Sequence, residues 1–386
     1  MTQIRAFDRF FDEEELRAKH EVREFAEQLP RDVIERDHAG SFDRESWNAC
    51  ARFGILGLGV PEEYGGTGGD LVRAVLSMEG FGKGCRDNGL TFALNAQMWT
   101  TQLSILQFGS EAQKKRYLPA LCGGEKIAAQ AMTEPETGSD IYRLQARAER
   151  TEDGYVLNGS KVLVTLGPLA DVFLIFATID PAKGRWGLTA FLVDRDTPGL
   201  EVLPVQAKMG LRTVPLGGLE LRDVRIPADA RLGPEGGGVS LSATSLEWER
   251  SCMLAGKIGI MERQIDEAVA EAKRREQFGQ PIGKFQAVSN RIADMKVRLE
   301  ASRLLVYRVA ALKLAGRPAP LEAAAAKLFL AESFVESSLD SIRIHGGRGY
   351  LTENEVERDL RDAVGGVLWG GTSDIQRVLV ARLLGL

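Results

Sequence analysis

A few short stretches of this chain carry side chains at spacings fit for chemistry. The segment SLEWERSCMLAG holds Glu247 and Glu249 beside Arg250. A carboxylate buried there against apolar groups has its pKa raised toward the range where a general base works. The same residues also fit a helix's first turns carrying solvated charge. In AMTEPETGSD, small and hydroxylated residues at a turn let backbone N–H groups and the Thr133 and Ser139 hydroxyls approach a polar heterocycle, with Gly138 between them. A capped turn alone would use the same residues. Arg275, in RREQFGQPIGKFQ, is a planar donor fork suited to a pair of phosphates, or a cation at a solvated helix end. Gly346, Gly347 and Gly349 can bring backbone against a ligand, and Thr372 and Asp374 begin a helix whose N-terminus suits an anionic or polar group. A capping box is compatible with that use.

These residues must be held by more than one packed unit, because 386 residues exceed an ordinary single core. From Asp12 to about Leu121, apolar residues such as Leu16, Val22, Phe25 and Leu29 recur at helical spacing, broken at Pro30 and in VPEEYGGTGGD. Between about Gly123 and Ala230 the texture changes to short β-prone runs such as GYVLNGSKVLVT and ADVFLIFATI, separated by Gly, Pro and Asp turns. After the linker GPEGGG, helical periodicity returns over about 240–277, 287–314 and 321–345, with a last helix after Thr372. The reading is an α+β chain: a helical domain over 1–122, an antiparallel β domain over 123–233 and a helical bundle over 234–386.

Composition excludes several classes. A net charge of −5 argues against a broad basic surface for nucleic acid. No run approaches the about 18 to 20 apolar residues of a membrane span, and the acid-rich start MTQIRAFDRFFDEEELRAKH lacks the apolar stretch of a secretory signal, so a cytoplasmic protein is expected. Four scattered cysteines and three histidines give no metal-ligand spacing, so no metal is expected.

Four segments, AMTEPETGSD, KMGLRTVPLGGLELRDVRIP, RREQFGQPIGKFQ and IHGGRGYLTENEVERDLRDA followed by WGGTSDIQR, resemble the acyl-CoA dehydrogenase family in order and spacing. The resemblance implies an α/β/α subunit with FAD between the β domain and the C-terminal bundle, assembled as a homodimer or homotetramer. It implies flavin contacts from Gln130, Met132, Thr133, Gly138, Ser139, Leu163 and Thr165. It further implies that Arg275, Phe278 and Gln286 meet the FAD pyrophosphate of a neighbouring subunit. Arg343, Gly346, Gly347, Thr372 and Asp374 would hold the adenosine and pyrophosphate portions, and Ser139, Glu247, Arg250 and Gly371 would line the thioester arm.

The implied reaction is α,β-dehydrogenation of an acyl thioester, carried by CoA or an acyl carrier protein, with electron-transfer flavoprotein or oxygen as acceptor. It needs a carboxylate over the α carbon and a flavin to take the β hydride. Many family members place that Glu directly before G-T-S, where this chain has Gly370. Glu249, 26 residues before Arg275, matches the alternative base of the isovaleryl-CoA and long-chain members, and a glycine at 370 leaves it room. The Gly370 backbone N–H remains for the thioester oxyanion. Departures elsewhere are Leu163 and Leu166 in LVTL for W-x-T-N, Gln130 for an apolar or aromatic residue, and Arg343 for a common Gln. They leave open an oxidase of an aminoacyl or hydroxyacyl carrier-protein thioester, a flavin monooxygenase of the same fold, and a silent acyl-carrier-binding scaffold.

Overall fold

The structure, a computed structural model, describes residues 11–68 and 71–386. The first half of the acid-rich start and the end of VPEEYGGTGGD lie outside the described residues. Helices α1 (Glu13–Glu27), α2 (Val33–Ala39), α3 (Arg44–Phe53), α4 (Leu71–Gly84), α5 (Asn88–Ala96), α6 (Leu103–Phe108) and α7 (Glu111–Cys122) come first. Between α5 and α6 the chain makes a π-helical turn over Gln97–Gln102, all six residues buried. Such turns widen a helix locally and often lie beside functional sites.

Eight strands follow: β1 (Ala128–Ala131), β2 (Arg147–Arg150), β3 (Gly154–Thr165), β4 (Val172–Thr178), β5 (Leu188–Asp194), β6 (Leu200–Val202), β7 (Leu216–Pro227) and β8 (Arg231–Leu232). They form one sheet, seven of them in the order β6-β7-β3-β2-β4-β5-β8 and β1 beside β4 off that path. The antiparallel expectation needs one refinement, since β4 pairs in parallel with β1 and, at Thr178, with β2. Every residue of β4 is buried, as a strand covered on both faces requires. Val172, Leu174 and Phe176 share a core with Leu118, Leu121 and Cys122 of α7, which fixes the sheet against the first helical domain.

Helices resume with α8 (Gly238–Glu249) and α9 (Ala255–Arg274), then a hairpin of β9 (Glu276–Gln277) and β10 (Gln280–Pro281). After it come α10 (Gln286–Leu314), α11 (Pro320–His345), α12 (Val356–Gly365) and α13 (Ser373–Leu383). The single helical segment expected over 240–277 is two helices. The break falls at Ser251, with φ −133° and ψ −88°. The Ser251 hydroxyl donates back to the Glu247 carbonyl at 2.6 Å, a local bond that competes with helix continuation. Apolar periodicity runs straight through SCMLAG and hides this.

α4 and α9 cross at backbone contact. A Cβ on Gly82 would lie 1.9 Å from the Gly256 carbonyl oxygen, and one on Gly259 2.0 Å from that of Glu79, so the crossing tolerates no side chain at either position. Cys50, Cys85, Cys122 and Cys252 are buried and unbridged. No helix among the described residues is long and apolar enough to cross a membrane.

Candidate active site

α8 presents its buried face through Leu241, Ser245 and Trp248, a 4-then-3 spacing that aligns them along one side. Trp248 stacks on Trp99 of the π turn, centroids 5.9 Å apart, and carries the Lys313 ammonium 4.4 Å from its ring centre. Ser245 donates to Gln130 Oε1 at 2.8 Å, tying α8 to β1. Glu249 is one turn beyond Ser245 on the same side and closes the helix.

Glu249 is therefore in the last turn rather than the first, and it is half-buried. Its carboxylate makes no hydrogen bond or ion pair with another described residue. Burial pushes it above the usual carboxylate range, against the pull of the Arg250 and Lys327 cations. A carboxyl with raised pKa and no partner is suited to taking a proton from a ligand.

Gly370 faces it. Gly370 has φ +65°, and a Cβ there would lie 3.3 Å from Glu249 Oε1 and 3.4 Å from its Cδ. The left-handed backbone and the close carboxylate both favour glycine. The turn is pinned from behind: Arg250 Nε donates to the Gly370 carbonyl at 2.8 Å. Gln376 Nε2 donates to the Gly370 and Gly371 carbonyls at 3.1 and 2.8 Å, and Lys327 Nζ donates to Gly371 at 2.7 Å. With those carbonyls held, the N–H groups of the same planar peptides, those of Gly371 and Thr372, are held as well. A Gly370→Ala variant is expected to lose about 10- to 100-fold in kcat, because a Cβ there would displace the Glu249 carboxylate. Steady-state kinetics alongside an absorbance spectrum checks this.

The two acids of the α8 segment have separate uses. Glu247 is two residues from Glu249, which on a helix turns it toward the opposite side. Its carboxylate is bound by Lys313 at 2.5 Å and by the backbone N–H of Ala319 at 3.1 Å, so it anchors the start of α11 and is not free for the thioester arm. Arg250 holds the Gly370 turn, which gives it a place at the site through backbone rather than through a free guanidinium.

Two segments that carry expected flavin contacts, the Thr133 segment and the end of β3, are tied to one another. Val162 N–H donates to the Thr133 carbonyl at 2.9 Å, where the β3–β7 register shifts between Lys161 and Val164. In that bulge Leu163 takes φ +56° and stands 57% exposed, an apolar face that a planar ring would cover. Among the described residues, the hydroxyls of Thr133, Ser139 and Thr165 make no hydrogen bond. Gly138 has open space around it, Met132 is buried, and among the described residues the Gln130 amide N–H groups donate to nothing, its Oε1 being taken by Ser245. These residues fit a flavin ring. The loop carrying them is fixed by a buried pair that sequence reading missed: Lys161 Nζ meets Glu134 Oε1 at 2.7 Å, and Glu134 also accepts from the backbone of Gln145 and Ala146. Glu134 to Thr137 is at the same time a tight turn.

The remaining expected cofactor residues are placed elsewhere. Arg275, Phe278 and Gln286 lie on and beside the β9–β10 hairpin. Phe278, at φ +52°, is 94% exposed, and Gln286 is exposed at the start of α10. Arg275 has only a loose 3.9 Å approach to Glu271. Arg343 pairs with Asp340 at 3.1 Å, three residues before Gly346 and four before Gly347, glycines that have open space around them. Thr372 caps α13 by accepting from Ile375 N–H, and Asp374 is exposed and paired with Arg377.

The chain matches the family profiles described as acyl-CoA dehydrogenase N-terminal domain over residues 12–125, middle domain over 129–224 and C-terminal domain over 236–385. It is 41% identical to an L-prolyl-[peptidyl-carrier protein] dehydrogenase of Pseudomonas fluorescens, covering 94% of this chain and 95% of that one. Among solved structures, the prolyl acyl carrier protein oxidase AnaB superposes with TM-score 0.96 at 45% identity, over 97% of this chain and 100% of that one. PigA with FAD and proline superposes with TM-score 0.95 at 37% identity, over 97% and 98%.

Proposed function

The chain belongs to the acyl-CoA dehydrogenase family and catalyses FAD-dependent dehydrogenation of an acyl thioester, and from that premise we propose that its substrate is a prolyl thioester on a carrier protein and that Glu249 is its base. The observation that carries the base is the Glu249 carboxylate lying against Gly370 with no hydrogen-bond or ion-pair partner among the described residues, its pKa raised by burial. The substrate class is supported by the relatives named above, two of them described as acting on prolyl carrier-protein substrates. The polar Gln130–Ser245 pair on the same side of α8 as Glu249 supports a substrate with a ring nitrogen.

Bound FAD supplies the two-electron acceptor for the hydride leaving the β carbon. Glu249 takes the α proton, and the α,β carbon–carbon double bond forms as both hydrogens depart. The Gly370 turn, held through its carbonyls by Arg250, Lys327 and Gln376, directs backbone N–H groups at the thioester oxygen, where negative charge develops. Trp248, the residue before Glu249, is buried and stacked on Trp99. The silent-scaffold reading rested on the missing Glu at 370; a carboxylate packed against that same residue supports the catalytic reading instead.

The exposed Phe278 and Gln286, with the half-buried Arg275 between them and α9, support assembly as a homo-oligomer in which the hairpin of one subunit meets the cofactor of the next. The prolyl proposal is tested by anaerobic bleaching of the bound flavin with prolyl-carrier protein, prolyl-CoA, butyryl-CoA and isovaleryl-CoA. A preference for prolyl-carrier protein of at least about 100-fold in bleaching rate over the simple acyl-CoAs is expected. Equal or faster bleaching by an unsubstituted acyl-CoA would overturn it. Reoxidation by air or by electron-transfer flavoprotein then identifies the acceptor.

A further inference from the structure

Lys257, near the start of α9, is 8% exposed, and its ammonium has no hydrogen-bond partner among the described residues. Burying an ammonium without a partner costs several kcal/mol, so its place needs a compensating contact. The nitrogen sits 4.2 Å from the Trp369 ring centre and 5.7 Å from that of Phe334. A desolvated cation on an aromatic face is held by the ring's quadrupole. A glycine makes the fit: a Cβ on Gly366 would come within 2.6 Å of the Lys257 nitrogen. On its remaining side Lys257 borders a cavity of about 20 Å³ shared with Asn88, Thr91, Asn95 and Asp362, room for a single water.

Trp369 also packs on Phe92, centroids 5.1 Å apart, and it immediately precedes Gly370. Its ring is therefore the handle by which the turn facing Glu249 is held from the interior. We propose that Lys257 is a positioning residue for the catalytic base, its ammonium clamping the Trp369 ring and so fixing the Trp369–Gly370–Gly371 turn against Glu249.

The charged groups that face Lys257 are Lys327 from α11 and Asp362 from α12; α5 offers only the neutral Asn88, Thr91 and Asn95. Burial and Lys327 push the Lys257 ammonium down to about 7, while Asp362 pulls the other way. The cation is present below that value and is lost as pH rises through it, so the clamp weakens on the alkaline side. Glu249 must be ionised to act, so activity rises through its own pKa on the acid side. The kcat profile is bell-shaped, with Lys257 on the alkaline limb.

The inference rests on Glu249 being the base, which Glu249→Gln tests separately. The experiment uses the FAD-loaded enzyme and the thioester that bleaches it fastest. Lys257→Met, close in length and uncharged, is expected to lower kcat about 10- to 100-fold, leave KM within about threefold and erase the alkaline limb. Lys257→Arg keeps a charge at every working pH, so it restores kcat to within a few-fold and moves the limb upward. A limb that stays near pH 7 in both variants overturns the proposal, as does a kcat unchanged in Lys257→Met. If Lys257→Met does not hold FAD, the Lys257→Arg profile decides alone: an unmoved limb sinks the idea and a raised one sustains it.

Discussion

A Glu249→Gln variant is expected to reduce its flavin about 10²- to 10⁴-fold more slowly than the wild type, the range that a single general base supplies, while still purifying with FAD bound. The amide keeps the size of the carboxylate and fits the space that Gly370 leaves, so the loss reads out proton abstraction rather than collapse of the turn. None of the residues grouped around Thr133 bonds to Glu249, which is why cofactor retention should be unaffected. The acid limb of the wild-type profile should vanish with the carboxylate, since burial raises Glu249 above its usual range and ionisation is what switches it on. Stopped-flow bleaching at several pH values measures both effects. Bleaching at the wild-type rate in a variant that holds FAD would remove Glu249 from the mechanism.

The proposed base was legible as a candidate in the sequence because two departures point to one another. A glycine where the family resemblance wants a Glu and a Glu 26 residues before Arg275 make sense only if the carboxylate reaches in from another helix. The packing that serves it was less legible. Lys327 looks like a surface lysine in an alanine-rich helix, yet Ala323, Ala324, Leu330 and Ala331 stand three or four residues away and are all buried, which places position 327 on the inner face. Helical spacing could have found it. Glu134 and Lys161 could not be found that way, since their pairing crosses 27 residues and depends on the bulge in β3. Glu247 and Glu249 read as a pair along the chain, and only their opposite directions on α8 separate an anchor for α11 from the proposed base. The break at Ser251 was invisible for a different reason. Hydrophobic periodicity reports which positions are buried, and Cys252, Met253 and Leu254 are buried whether or not the helix continues.

The largest effect on stability is expected away from the site, at Glu79. It is fully buried on α4 and gathers partners from two other helices. Lys19 of α1 meets its Oε1 at 2.7 Å. From α10, Arg303 donates to Oε1 at 2.8 and 3.0 Å, and the Tyr307 hydroxyl donates to Oε2 at 2.8 Å. Arg303 reaches on to Glu262 of α9 at 2.9 Å, so the carboxylate knits α1, α4, α9 and α10. Burial by itself would raise the Glu79 pKa, but Lys19 and Arg303 outweigh it and hold the group at about 2. Glu79→Gln keeps the shape and removes the charge, leaving buried cations short of a counterion. A loss of about 3 to 5 kcal/mol is expected, measured by urea unfolding of both proteins with saturating FAD. Because the folded pKa lies below the ordinary value of 4.5, the Glu79 contribution is present above that value and fades as pH falls toward 2. The gap between wild type and variant should therefore be wide at neutral pH and narrow as the solution is acidified. A gap that stays constant from neutral pH down to the acid limit of folding would mean that shape rather than charge at position 79 holds the four helices together.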